Sequence, residues 1–378
     1  MIYVTTRQKA KEKQISWLDL IGDDEISVSD LVTTGSAGTV TRTLNEATPE
    51  LLRKINVDEM INMLKRFNNC HENLFKANRC NLYRHFEIAK RTGGGTRPID
   101  APCTELKLAL SELAMILSDK FGVLYHTAAF AYIPNRCTTQ LARKHQVNNS
   151  NWFYKTDVSG FFPSTTLDFT MKMLKMIFPL SEICKVDEGY KELRKAISLG
   201  FLNGVLPQGS PLSPMLTNVI CIPIDHHLFN LFAHKRMVYT RYADDLHISC
   251  QQKIDPKKIT EWIENAFKAF NAPWILKPEK THYGSRKGKN FMLGVCVNAD
   301  NNITTGWRTK QLFKAQTANL IMDYKHGKCW PIDEIRQYSG LLSYYKMVEK
   351  DYFEELVNRY NDKFHVNVKS ILKECMSI

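Results

Sequence analysis

Two adjacent carboxylates, Asp244 and Asp245, lie between short runs with alternating character, Val238, Thr240 and Tyr242 leading in and Leu246, Ile248 and Cys250 leading out. That alternation predicts a β-hairpin whose turn carries both acids. Carboxylates side by side in a tight turn repel, so one keeps its proton unless a cation neutralises the pair. Two divalent ions about 3.5–4 Å apart do so, and such a pair is the apparatus of nucleotidyl transfer. The same dipeptide is also an ordinary polar turn. Other residues must decide.

A third carboxylate would be needed to bridge two ions. In Trp152–Ser164 an apolar strand ends on Asp157, followed by a bend, Phe161-Phe162 and Pro163. Acids at strand ends are where metal-binding carboxylates of open sheets commonly lie, though a turn aspartate reads the same way. Arg97 falls on the second run of a basic hairpin formed by Tyr83–Lys90, a turn at Thr92–Gly95, and Thr96–Pro102. It could clamp phosphates, or be incidental on a surface hairpin. Gln208-Gly209, in the loop Leu206–Pro214, offers an amide and bare backbone for close approach to a base or sugar. As a lone motif it is a loop-to-helix junction. His226, His227 and His234 have no partnering carboxylate pattern and read as non-ligands.

The elements positioning these residues can be read in turn. Asn56 caps a helix with Val57, Met60, Ile61 and Leu64 on one face. Thr34–Thr43 reads as a loop. Thr104 caps a helix whose stripe is Leu106, Leu110, Leu113, Ala114, Leu117 and Phe121. Thr165 with Asp168 reads as a capping box ahead of Leu167, Met171 and Leu174. Pro223 kinks or ends the helix that carries Met215, Val219 and Ile222. Asp255 caps and Pro256 starts a helix with Ile259, Trp262, Ile263, Ala266, Phe267 and Phe270 on one face. Lys277–Thr281 is a loop, and Phe291–Val297 a strand interrupted by Gly294. Three basic amphipathic helices follow, marked by Phe313–Tyr324, Ile335–Tyr345 and Phe353–Tyr360. Their lysines and arginines suit a clamp on a nucleic-acid duplex or a solvated bundle face.

Composition sets the class. At 378 residues, 44% hydrophobic and 24% charged, the chain is a globular protein large enough for two or three packed subdomains. A net charge of +12 points to a polyanionic partner, or to a solvated basic surface. No apolar run approaches a membrane span, and the N-terminus has no signal-peptide pattern. The ten cysteines form no CxxC pair, so free thiols in a cytoplasmic protein are expected.

In series, these motifs resemble a prokaryotic reverse transcriptase of the retron type or its defence-associated relatives. The series is the Arg97 hairpin, Asp157 with Phe161-Phe162-Pro163, Pro207-Gln208-Gly209-Ser210-Pro211, Tyr242-Ala243-Asp244-Asp245, Lys280-Thr281 and a glycine-bearing strand, spread over residues 80–365. Two stretches depart from the retron pattern: Leu141-Ala142-Arg143-Lys144-His145 lacks its asparagine, and Met292-Leu293-Gly294 stands where it has Val-Thr-Gly. The resemblance implies an α+β right-hand polymerase with fingers, a palm of antiparallel sheet with packed helices, and a helical thumb. It implies a helical extension over 1–80, fingers and palm over 81–290, and a primer-grip strand with thumb over 291–378.

By the same resemblance Asp157, Asp244 and Asp245 are catalytic and hold two Mg²⁺ ions, with Mn²⁺ as a substitute. Arg97 and Lys280 hold the incoming triphosphate, Gln208 lies beside its sugar and base, Phe162 gates the sugar, and Leu293 with Gly294 contacts the primer. An aromatic wall at Phe162 collides with a ribose 2′-hydroxyl and so favours DNA synthesis. The implied activity is RNA-directed DNA synthesis from a structured noncoding RNA, giving cDNA from dNTPs in antiphage defence, with an accessory effector protein as a further partner. Alternatives are untemplated or protein-primed DNA synthesis, or an idle RNA-binding scaffold. No RNase H segment is expected, so template removal falls to a host enzyme.

Overall fold

A computed structural model describes residues 56–90, 95–121, 125–288, 290 and 292–377. The loop expected at Thr34–Thr43 and the tip of the basic hairpin at Thr92–Gly94 lie outside these residues.

In chain order the elements begin with helices α1 (Val57–Cys70) and α2 (Glu72–Lys76), then strands β1 (Tyr83–Ala89) and β2 (Thr96–Pro102). Helices α3 (Thr104–Met115) and α4 (Thr138–Val147) precede strand β3 (Trp152–Ser159). A helical run follows: α5 (Phe161–Ser164), α6 (Leu167–Leu174), α7 (Leu180–Lys185), α8 (Asp187–Ser198), α9 (Leu212–Ile220) and α10 (Ile222–His234). Strands β4 (Met237–Tyr242) and β5 (Asp245–Cys250) form the central hairpin, then come α11 (Pro256–Phe270), β6 (Ile275–Leu276) and β7 (His282–Ser285). Short strands β8 (Cys296–Val297) and β9 (Ile303–Thr304) lead into α12 (Trp307–Lys325), α13 (Ile332–Val348), α14 (Lys350–Phe364) and α15 (Val368–Ser377).

The main sheet has the order β4-β5-β3-β6, with β7 also pairing β3. This order sets the tip of the β4–β5 hairpin beside the end of β3, since Val158 N–H donates to the Asp244 carbonyl at 3.0 Å. β1 and β2 form a separate antiparallel ribbon in which Arg97 faces Ile88. Two compact units emerge. One holds the described residues up to Arg136 with 154–248 and 254–282; the other holds 137–153, 249–253 and 283–377.

Several caps and stripes form as the sequence predicts. The Asn56 side chain accepts from Glu59 N–H, and Asp255 caps α11 by accepting from Lys257 N–H. The α11 face of Ile259, Ile263, Ala266, Phe267 and Phe270 is buried. In the second unit Phe313, Leu320, Ile321, Ile335, Tyr338, Leu342, Phe353, Leu356 and Val357 share one core.

Other readings are corrected. Thr166, not Thr165, caps α6 by accepting from Phe169 N–H. Thr165 is buried, donating to the Phe161 carbonyl and accepting from Trp274 Nε1, while Asp168 pairs with Arg194. Cys103, not Thr104, occupies the N-cap of α3. The chain breaks at Cys221 between α9 and α10, so Pro223 falls in the first turn of a new helix, where its missing N–H costs nothing. Phe291 lies outside the described residues, and of the strand expected over Phe291–Val297 the described part is a strand only at Cys296–Val297. Before it Leu293 (φ 55°) and Gly294 (φ 90°) take two successive positive φ values and reverse the chain, with Met292 and Val295 hydrogen-bonding each other across the turn. A fourth C-terminal helix, α15, adds Val368, Ile371, Leu372 and Cys375 to the same core.

Candidate active site

The two-residue turn of the β4–β5 hairpin is Ala243-Asp244, and Ala243 adopts a positive φ of 55°. Positive φ at the first central residue suits the right-handed twist of paired strands. A buried ion pair stands beneath that turn. Arg241 Nη2 lies 2.7 Å from Asp225 Oδ2, and Arg241 Nη1 donates to the Ala243 carbonyl at 3.2 Å and to Asn218 Oδ1 at 3.1 Å. Tyr239 Oη also donates to Asp225. With Arg241 and Asp225 each 3% exposed or less, the network holds the strained turn from inside.

The three acids predicted from sequence meet at this tip. Asp157 sits on β3 two residues before its end, Asp244 is the second turn residue, and Asp245 begins β5. Three lysines surround them. Lys277 and Lys280 donate to Asp157 Oδ1 and Oδ2 at 2.8 and 2.7 Å, and Lys155 lies 3.0 Å from Asp245 Oδ1. Among the described residues no ion pair is made to Asp244. Burial, then the charges of Asp157 and Asp245, push its carboxyl up, against its own backbone N–H and Lys277. Burial also pushes Asp245 up, opposed by Lys155. Its hydrogen bond to Asp157 raises Lys280.

This charge pattern fits divalent ions. A buried carboxylate pressed by two like charges leaves a deficit of positive charge, and hard oxygen donors are what Mg²⁺ or Mn²⁺ takes. Among the described residues no three His, Cys, Asp or Glu side chains already converge as a coordination set. Asp157 and Asp245 are instead engaged by ammonium groups. Lys155 and Lys277 are not among the residues predicted from sequence. Lys155 was legible, because residues two apart on a strand share a face and it lies two before Asp157. Lys277 had no such signal.

Phe162, Gln208 and Arg97, also predicted from sequence, belong to the same unit. Phe162 lies in the single turn of α5, half-buried, its ring 5.7 Å from that of Phe161. Gln208 is tied to β2 through its carbonyl, which accepts from Asp100 N–H at 2.7 Å. Gly209 (φ 119°) permits this approach, since a Cβ there would stand 2.8 Å from the Asp100 carbonyl oxygen. The strand bearing Arg97 and the loop bearing Gln208 are thereby joined. Arg97 itself is exposed, and the buried Gln208 Oε1 has no hydrogen-bond partner among the described residues. An orphaned acceptor of this kind fits a ligand donor.

Leu293 and Gly294 belong to the other unit. Their turn is secured by Asn290, whose Nδ2 donates to the Val297 carbonyl at 2.9 Å and whose Oδ1 accepts from Val297 N–H at 3.1 Å. In that unit His145 is buried on α4, its Nδ1 2.6 Å from Ser249 Oγ. Burial pushes its pKa down to about 3.

Residues 88–297 match the family model described as reverse transcriptase (RNA-dependent DNA polymerase). The chain is 25% identical over 310 residues to the retron Ec83 reverse transcriptase of Escherichia coli, covering 79% of this chain and 93% of that protein. It is 25% identical over 286 residues to the retron Ec73 reverse transcriptase of Escherichia coli, covering 73% and 86%. A solved telomerase of Candida albicans, in complex with a fragment of telomeric RNA, aligns with a TM-score of 0.42 and 13% identity over 77% of this chain and 56% of that one.

Proposed function

The chain belongs to the reverse transcriptase family and is an RNA-directed DNA polymerase, and from that premise we propose that it copies part of a structured noncoding RNA into cDNA in antiphage defence. The observation that carries the site is the gathering of Asp157, Asp244 and Asp245 at one hairpin tip with lysines around them. The likeness to retron reverse transcriptases supports an RNA template, and the defence role rests on the resemblance of the motifs alone. Ten free cysteines suit a reducing cytoplasm, and among the described residues no helix is long and apolar enough to cross a membrane.

Each residue then has a task. Asp157, Asp244 and Asp245 would hold two Mg²⁺ ions, with Mn²⁺ as a substitute. When bound, such ions lower the pKa of the attacking 3′-hydroxyl and neutralise the leaving pyrophosphate. Arg97 and Lys280 bind the triphosphate of the dNTP, and Gln208 meets its sugar and base. Phe162 walls the sugar. A 2′-hydroxyl there would meet a ring edge that offers no hydrogen bond, which leaves the polar group unpaired. We assign fingers and palm to residues 81–290, primer grip and thumb to 291–378, and an extension to 1–80, with Leu293-Gly294 contacting the primer end. An accessory effector protein would complete the defence role.

Sequencing nucleic acid that co-purifies with the protein tests the RNA assignment. The expected product is cDNA complementary to a bound RNA, and product with no such complement would point to untemplated or protein-primed synthesis. For the site, Asp244→Asn should abolish Mg²⁺-dependent primer extension on RNA while sparing RNA binding. Undiminished extension would refute it.

A further inference from the structure

We propose that Tyr132 is a further substrate-contact residue, its hydroxyl donating to the phosphates of the incoming deoxynucleoside triphosphate between Asp244 and Arg97. The proposal rests on the polymerase reading and adds a residue to it.

The first observation is strain without internal compensation. Tyr132 has a φ of 57°, a left-handed conformation that bulky L-residues rarely adopt. The residue is 58% exposed, and among the described residues its hydroxyl makes no hydrogen bond. Strain of this kind persists where the surrounding structure enforces it, and it concentrates at ligand clamps.

The enforcing structure is visible on both sides of the residue. Phe130 N–H donates to the Arg241 carbonyl at 2.9 Å, and Arg241 N–H donates to the Ala128 carbonyl at 2.7 Å. Asn218 Nδ2 donates to the Ala131 carbonyl at 2.8 Å. Beyond Tyr132, Arg136 Nη1 donates to the carbonyls of His126 and Ala129, each at 2.5 Å. The segment is therefore fastened to β4 just ahead of the acidic turn, and to the same Asn218 that braces Arg241. Its position relative to Asp244 is fixed by backbone, not by packing of the tyrosine.

The surroundings give the chemistry. Although the residue as a whole is exposed, partial enclosure of its hydroxyl end pushes that group up, Asp244 and Tyr242 push it further, and Arg97 opposes them. The phenol thus lies in the field of the acid where bond formation occurs and of the arginine assigned to the phosphates. A phenol is a donor at neutral pH without any shift, and a phosphate oxygen is the strong acceptor that this path brings.

The test is calorimetric titration of the full-length protein with dTTP in Ca²⁺, which permits binding without turnover, together with thermal melting. Tyr132→Phe should weaken dTTP binding about tenfold, the loss expected for a hydrogen bond to a charged group. Tyr132→Gly should weaken it at least as much while leaving the melting temperature unchanged or raised, because glycine relieves the backbone strain. Wild-type affinity in Tyr132→Phe would overturn the proposal. So would a lowered melting temperature in Tyr132→Gly, which would assign the tyrosine a structural role. Wild-type protein that binds dTTP through Tyr132 yet extends no primer on RNA would count against the proposed function and leave this contact standing.

Discussion

The ammonium of Lys277 lies 2.8 Å from Oδ1 of Asp157, a residue 120 positions earlier, and Lys280 takes the other oxygen at 2.7 Å. One carboxylate is thus divided between two cations. Each lysine does what a divalent ion would do electrostatically, so an ion taking Asp157 must displace at least one of them. The displaced ammonium is then available to phosphate. Lys277→Met should therefore tighten Mn²⁺ binding in the absence of nucleotide by several-fold and raise the KM for dNTP. Titration calorimetry reads the first effect and steady-state extension the second. Unchanged or weaker Mn²⁺ binding would show that the lysine does not compete.

Phe162, the proposed sugar wall, lies at the first turn after β3 and in the same compact unit as Asp157. Pocket discrimination by shape is modest. Phe162→Ala should raise incorporation of rNTP relative to dNTP by about 10–200-fold, as expected where one small group is accepted or refused. Competitive primer extension with mixed nucleotides measures this ratio. A ratio equal to the wild type's would remove Phe162 from sugar selection.

Asp225 and Arg241 are buried together, with Tyr239, Asn218 and the Ala243 carbonyl completing the hydrogen bonds. Removing one partner strands a charge away from water. Asp225→Ala should cost about 3–5 kcal/mol of stability, and Asp225→Asn less, since an amide can still accept from Arg241. Urea unfolding compares them. Because Arg241 braces the Ala243 carbonyl, both variants should also slow primer extension.

The legibility of this chain followed range. Alternation around Asp244-Asp245 set β4 and β5, and Asp255-Pro256 set the start of α11, because those signals are local. The fold family was readable because several short motifs occur in a fixed order. Phe291–Val297 misled because its composition is strand-like, whereas the positive φ of Leu293, a residue type that seldom adopts it, turns the chain. The Asp225–Arg241 pair and the bond of Lys277 to Asp157 were hidden for a different reason. Their charges look like solvated surface until tertiary structure removes the water.

Two buried histidines contribute to the response to acid. Burial pushes His145 down to about 3, and His226 to about 3 with the nearby His126 and His227 adding to the effect. Both are neutral in the folded protein over a pH range where the unfolded chain, with an ordinary histidine pKa of about 6.5, binds protons. The unfolded state binds more protons there, so stability rises with pH between about 3 and 6.5 and falls on acidification. Above that window the two histidines contribute no pH dependence. Each adds a slope of at most about 1.4 kcal/mol per pH unit within it. Urea melts from pH 7 to pH 4.5 should show the decline, and His145→Gln should flatten part of it. A wild-type stability that holds constant over this range would contradict the burial of these rings.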